Sequence, residues 1–131
     1  MATAAKKQAS TLLKRIKRFY QALNQGEFQA CYRMIDPQVR QNPHSVTLLQ
    51  YITSLNPYWE TMCPLQIVQI RVTEHVGVSS PLYGGRDFAV GESMCKDQHG
   101  KTRVFHERWV RDKRTWFTRS TGFVTTENDV S

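Results

Sequence analysis

A chain of 131 residues with 40% hydrophobic content is long enough to bury one core and too short for two. No apolar run approaches the roughly 18 residues of a membrane-spanning helix, so no span is expected. The three cysteines and four histidines lack CxxC or HxxxH spacing, so no metal site and no cofactor is expected, while the net charge of +7 favours acidic partners.

Much of that charge sits early. Lys6, Lys7, Lys14, Arg15, Lys17 and Arg18 all precede the first acid, Glu27. An acid-free basic N-terminus is also how an organellar presequence reads. Here its apolar positions run on into the next helix, as in a domain element, and there is no secretory apolar region. Cys31, Cys63 and Cys95 are odd in number and far apart, as expected of reduced, buried thiols. The expected location is therefore cytoplasmic, with an organellar lumen as the alternative. The expected layout is a flexible basic tail at 1–9, one domain at 10–124 and a flexible tail at 125–131.

Ser10 is a plausible N-cap, and Leu12, Ile16, Phe19 and Leu23 follow at the spacing of one helical stripe, widened by Leu13 and Tyr20. Lys14, Arg15, Lys17 and Arg18 fall off that stripe, as a solvated face or as a site for an acidic partner. Asn24-Gln25-Gly26 ends the helix with a glycine that tolerates the left-handed region. A second helix is expected over 27–35, with Phe28, Cys31, Tyr32 and Ile35 on one face, stopped by Asp36-Pro37. Ser45 then caps a third, marked by Val46, Leu49, Ile52 and Leu55 and ending at Asn56-Pro57. Tyr51, Tyr58 and Trp59 gather near its end, where aromatics either plug a core or line a cavity.

After Cys63-Pro64 the apolar period becomes two residues. A strand is expected over 65–78, bulged near Glu74-His75, and a loop over 79–85 carries Gly84-Gly85. The next strand runs to Lys96 and turns at Asp97-Gln98-His99-Gly100. The stretch 101–123 reads as a hairpin about the tetrad Arg111-Asp112-Lys113-Arg114. With Val110 opposite Thr115, the residues Phe105, Glu107, Trp109, Trp116 and Thr118 share an inward face, with the two indoles directly opposed. His106, Arg108, Phe117 and Arg119 face outward with Val110. With Lys96 opposite Lys101, Phe88, Val90 and Glu92 also point inward, and Ala89, Gly91 and Ser93 point outward.

The order of elements implies an α+β fold: three N-terminal helices packed on a curved antiparallel sheet of about four long strands. In the helical phrase IKRFYQALNQGEFQACYRMIDPQV and the hairpin FHERWVRDKRTWFTRS the chain resembles the nuclear-transport-factor-two-like superfamily, an α+β cone that also includes ketosteroid-isomerase-like and polyketide-cyclase-like proteins. The early strand expected between the second and third helices is represented only around Val39. The resemblance implies a cavity between sheet and helices, and a homodimer through the outer sheet face. No catalytic residue carries over by resemblance.

The register drawn above places Glu92 and Glu107 as diagonal neighbours at roughly 7–8 Å on the inner face. Two carboxylates in a partly apolar setting suit general acid–base chemistry. The cavity would be lined by Tyr51, Tyr58, Trp59, Phe88, Val90, Phe105, Trp109, Trp116 and Thr118. On the outside, His106, Arg108, Phe117 and Arg119 form the dimer face. With no nucleophile–base pair, metal set or phosphate loop in view, the leading expectation is a non-catalytic binding or assembly module. It would take an acidic protein through Lys14, Arg15, Lys17 and Arg18, or a small apolar ligand in the cone. The alternative is a small isomerase, cyclase or dehydratase using Glu107 and Glu92; nucleic-acid binding rests on charge alone.

Overall fold

A stretch rich in Ala, Lys, Leu and Arg, without glycine or proline, makes the first helix, α1 (Thr3–Asn24), which begins well ahead of Ser10. The computed structural model describes residues 3–76 and 82–122, and side chains within 11–74 and 83–122; the expected tail at 125–131 lies outside them. Gly26, at φ 73°, ends α1. Its N–H donates to Leu23 O at 3.0 Å and that of Glu27 to Ala22 O at 2.9 Å, closing the open carbonyls of the last turn. The short helix α2 (Phe28–Arg33) follows, with Cys31 buried.

Asp36-Pro37 starts a helix as well as stopping one. The Asp36 side chain accepts from Gln38 N at 3.1 Å, and Pro37 occupies the first turn of α3 (Pro37–Arg40). Val39 is thus in a helical turn and not in a strand. The last helix, α4 (Leu48–Met62), is capped by Thr47 and not Ser45: Thr47 Oγ1 accepts from Gln50 N, and Gln50 Oε1 accepts from Thr47 N. It runs through Pro57, past the expected stop. Its buried residues are Tyr51, Leu55 and Met62, whereas Leu49 is 74% exposed, so the true stripe lies beside the expected one.

Strands β1 (Gln66–Val76), β2 (Phe88–Lys96), β3 (Thr102–Asp112) and β4 (Thr115–Thr118) form one curved, unclosed antiparallel sheet in the order β1-β2-β3-β4. The fold is α+β, with helices covering one face; among the described residues there are four α-helices, and β4 is short. β1 is bulged at 67/69 and 72/74.

Register departs from expectation at both hairpins, with opposite consequences. Between β3 and β4 the turn is only Lys113-Arg114, both at positive φ, and Asp112 pairs with Thr115. Trp109 therefore faces Thr118, and Trp116 faces Arg111. This is a slip of two residues, so every side chain keeps its face. Between β2 and β3, Asp97 N bonds Lys101 O at 2.9 Å around the three residues Gln98-His99-Gly100, with Gly100 at φ 80°. Lys96 then pairs with Thr102, Gly91 with Glu107 and Ser93 with Phe105. This slip is odd, so all of β2 turns over.

Consequently Ala89, Gly91, Ser93 and Cys95 point inward, while Val90 and Glu92 point outward; Phe88, also expected inward, is on the outer side under Tyr83, ring centroids 5.2 Å apart. The inward glycine has a packing reason. A Cβ on Gly91 would meet Ile16 Cδ1 at 2.9 Å and Trp109 at 3.6 Å, so α1 comes this close to β2 only over a residue without a side chain.

The core is the contact of α1 with the inner sheet face. Leu12, Ile16, Phe19, Tyr20 and Leu23 meet Phe105, Trp109 and Trp116, with Cys31, Ile35, Tyr51 and Leu55 closing from the other helices. At about 100° per residue the two flanks of α1 diverge from this stripe. Arg15 falls towards β4, donating to Trp116 O at 2.9 Å and lying 5.6 Å from the Phe117 ring centroid. Leu13, Lys17 and Gln21 fall towards β1.

Candidate functional site

Glu107 faces inward as its position between Phe105 and Trp109 requires, and it is buried. Tyr20 Oη donates to its Oε1 at 3.3 Å and Thr118 Oγ1 to its Oε2 at 3.4 Å. Burial raises its pKa from 4.5 to about 7, against the opposing pull of these two hydrogen bonds. The Tyr20 hydroxyl is in turn pushed well above its usual range by burial and by the adjacent Glu107. The space around this group is occupied by aromatic rings: Tyr20, Tyr51, Phe105 and Trp109 are each 1% exposed. Tyr20 lies 5.5 Å from Phe19 and 6.1 Å from Phe105, and Phe19 lies 6.2 Å from Trp109.

The expected carboxylate pair does not form. Glu92 lies on the outer face, where Arg71 grips it with Nε 3.1 Å from Oε1, and His106 Nε2 is 3.1 Å from Oε2. Arg71 first, and then His106, hold its carboxyl below the usual range. The sheet separates it from Glu107.

Other expected cavity residues divide. Tyr51, Phe105, Trp109, Trp116 and Thr118 are together inside; Tyr58 is 55% exposed on α4. Trp59 bridges helices, its Nε1 donating to Leu23 O at 2.7 Å and its ring edge-on to Phe28. Val90 is half-buried on the outer face, with His106, Arg108, Phe117 and Arg119. With Ala89, Gly91 and Ser93 turned inward, that face is more charged than expected, since Arg71, Glu92 and His106 cross its centre.

A second polar centre, unforeseen from the sequence, lies where α3, β4 and the turn Leu82–Gly85 meet. Asp36 is fully buried and accepts from Arg86 Nη1 and Nη2 at 2.9 and 2.8 Å and from Arg119 Nη1 at 2.7 Å. Burial acts to raise its carboxyl, but Arg86 and Arg119 outweigh that and hold it below the usual range. The same arginines fix Tyr83: Arg86 donates to its carbonyl at 2.8 Å, and Arg119 lies 4.7 Å from its ring centroid. Arg108 donates to its hydroxyl at 2.8 Å. Tyr83 needs these ties, because at φ 54° it sits in a strained region for a residue with a side chain.

Open clefts lie at the periphery. One of them, about 540 Å³, runs between α1 and β1 and is lined by Leu13, Lys17, Gln21 and residues 67–70. Of the four expected partner-binding cations, Lys14, Lys17 and Arg18 are exposed, and Arg15 is turned to β4. No acid occurs in α1. The cleft was missed because Leu13 reads as a mere widening of the core stripe, although Leu13, Lys17 and Gln21 at i, i+4 and i+8 mark it.

Among the described residues, no three His, Cys, Asp or Glu side chains converge as a metal site would require, and no helix is long and apolar enough to cross a membrane. All three cysteines are buried and unpaired with one another, and burial pushes Cys31 and Cys95 up to about 12 and Cys63 to about 11. Such thiols are poor nucleophiles. No family model, curated protein or solved structure matches the chain.

Proposed function

We propose that this chain is a non-catalytic protein-binding module of the cone-like α+β type, resembling the nuclear-transport-factor-two-like proteins, which docks an acidic partner against α1. The observation that carries this reading is the exposed trio Lys14, Lys17 and Arg18 on a helix without an acid, beside an open groove of mixed apolar and polar lining. The filled interior counts against a small apolar ligand in the cone. A homodimer through the outer face belongs to the same proposal, with half-buried Val90, Met94 and Val104 beside His106 and Phe117 as its contact surface.

Acid–base catalysis is the second reading, favoured by Glu107 at about 7 with the Tyr20 hydroxyl 3.3 Å away. Against it stand the enclosure of that carboxylate and the position of Glu92 across the sheet.

The test of the leading reading is simultaneous reversal of Lys14, Lys17 and Arg18 to glutamate, with a polyglutamate-containing peptide as probe. Binding should weaken by up to about a hundredfold, since each of the three exposed charges contributes up to about 1 kcal/mol, and wild-type affinity should fall with added salt. The unfolding midpoint should hardly move, because all three side chains are exposed. Undiminished affinity in the triple variant would refute the reading.

A further inference from the structure

We infer that the groove between α1 and β1 takes an extended, acidic segment of the partner protein, which adds as a fifth strand to the free edge of β1. This rests on the acidic-partner reading and specifies its site and mode. β1 is the first strand of the sheet, and all its ladder partners belong to β2, so its other edge has no strand among the described residues. An unpaired edge of eleven residues is a template for another chain.

The direction in which that edge bonds is visible at its start. Asn24 Nδ2 donates to Leu65 O at 2.8 Å, and Leu65 N donates to Asn24 Oδ1 at 2.7 Å. One side-chain amide thus occupies both backbone groups of Leu65 as a neighbouring strand would. The place for such a strand continues from there along the groove.

The lining sets the chemistry of the occupant. Leu13, Ile67, Val68 and Ile70 offer apolar contact, and Val68 is 53% exposed although it is large and apolar. Lys17 is the charged member of the lining, with Lys14 and Arg18 behind it on α1, while the exposed Glu74 lies towards the far end of β1. The complement is an extended segment with apolar residues at alternate positions and its acids at the Lys17 end. Main-chain bonds to the edge would supply affinity, and the alternate side chains specificity.

The experiment pans a random-peptide display library against the full chain. Enriched peptides should be acidic and carry alternate apolar residues. Methylating their backbone nitrogens one at a time should weaken binding up to about tenfold at every second position, as loss of an edge hydrogen bond predicts. Val68→Ser, at an exposed site, should weaken it several-fold without lowering the unfolding midpoint. If the enriched peptides are acidic and lost on reversal of Lys14, Lys17 and Arg18, yet methylation shows no alternation and Val68→Ser binds normally, strand addition is refuted and the acidic-partner reading survives. If enrichment shows no acidic bias, both fall. Self-association abolished by Val68→Ser would assign the edge to a second copy and overturn the inference.

Discussion

Asp36→Ala is expected to lower the free energy of unfolding by about 3–5 kcal/mol, the range for removing one partner of a buried ion pair. The residue is fully buried and carries three roles at once. It neutralises Arg86 and Arg119, whose side chains are 12% and 30% exposed, and it caps α3. Its own backbone N–H also donates to Thr118 O at 2.8 Å, next to the parallel bridge between Ile35 and Thr118, so the arginine cluster sits where the helices are tied to β4. Asp36→Asn keeps a capping oxygen and should recover about 1 kcal/mol of the loss. Urea unfolding checks both, and a loss below about 1 kcal/mol for alanine would contradict this account of the cluster. The folded carboxyl titrates below its unfolded value near 3.9, so its stabilisation is complete above about pH 4 and disappears as pH falls through the lower, folded value.

Glu107→Gln is expected to stabilise the protein at neutral and higher pH. The sign is opposite to that of Asp36, because the folded pKa of Glu107 is raised. The folded state holds the proton more tightly than the unfolded chain, so wild-type stability falls as pH rises from about 4.5 to about 7 and is flat beyond. A rise from 4.5 to about 7 corresponds to about 3 kcal/mol at most. Glutamine removes the charge while its amide keeps an acceptor for Tyr20. The difference in Tm between variant and wild type should therefore grow from pH 5 to pH 7.5 and then level off. A difference independent of pH would mean that Glu107 is not desolvated as described.

These two carboxylates also mark what the sequence makes legible. Glu107 was readable because strict alternation places it between Phe105 and Trp109, and the parity of β3 survives any even slip of its partner. Lys113-Arg114 make just such a slip. Neither is the glycine or asparagine that announces a two-residue turn, so the turn reads as longer than it is. Glu92 was misplaced because the β2–β3 turn closes on Asp97 and Lys101 around three residues. Its signal is the Asp97 carboxylate, which accepts from His99 N and Lys101 N at 2.9 Å, with Gly100 in the left-handed region. A tetrad ending in glycine fits either loop, and only one preserves the face of Glu92.

The Asp36 centre was hidden for a different reason. Its partners Arg86 and Arg119 are remote in sequence, and an acid before proline at a helix boundary has a sufficient local explanation. Helix positions were legible from apolar spacing, whereas Leu49 and Pro57 show how α4 departs from that guide. Its true face, Tyr51, Leu55 and Met62, is set by the buried ring of Tyr51, which packs 5.5 Å from the half-buried ring of Tyr32.

The most direct test of the acidic-partner account is an NMR titration of the isotope-labelled chain with a polyglutamate-containing peptide. The account predicts shift changes concentrated on Leu13, Lys17 and Gln21 of α1 and on residues 67–70 of β1, with Tyr20, Phe105 and Glu107 unmoved. Changes centred on those interior residues, with the α1–β1 groove silent, would contradict it.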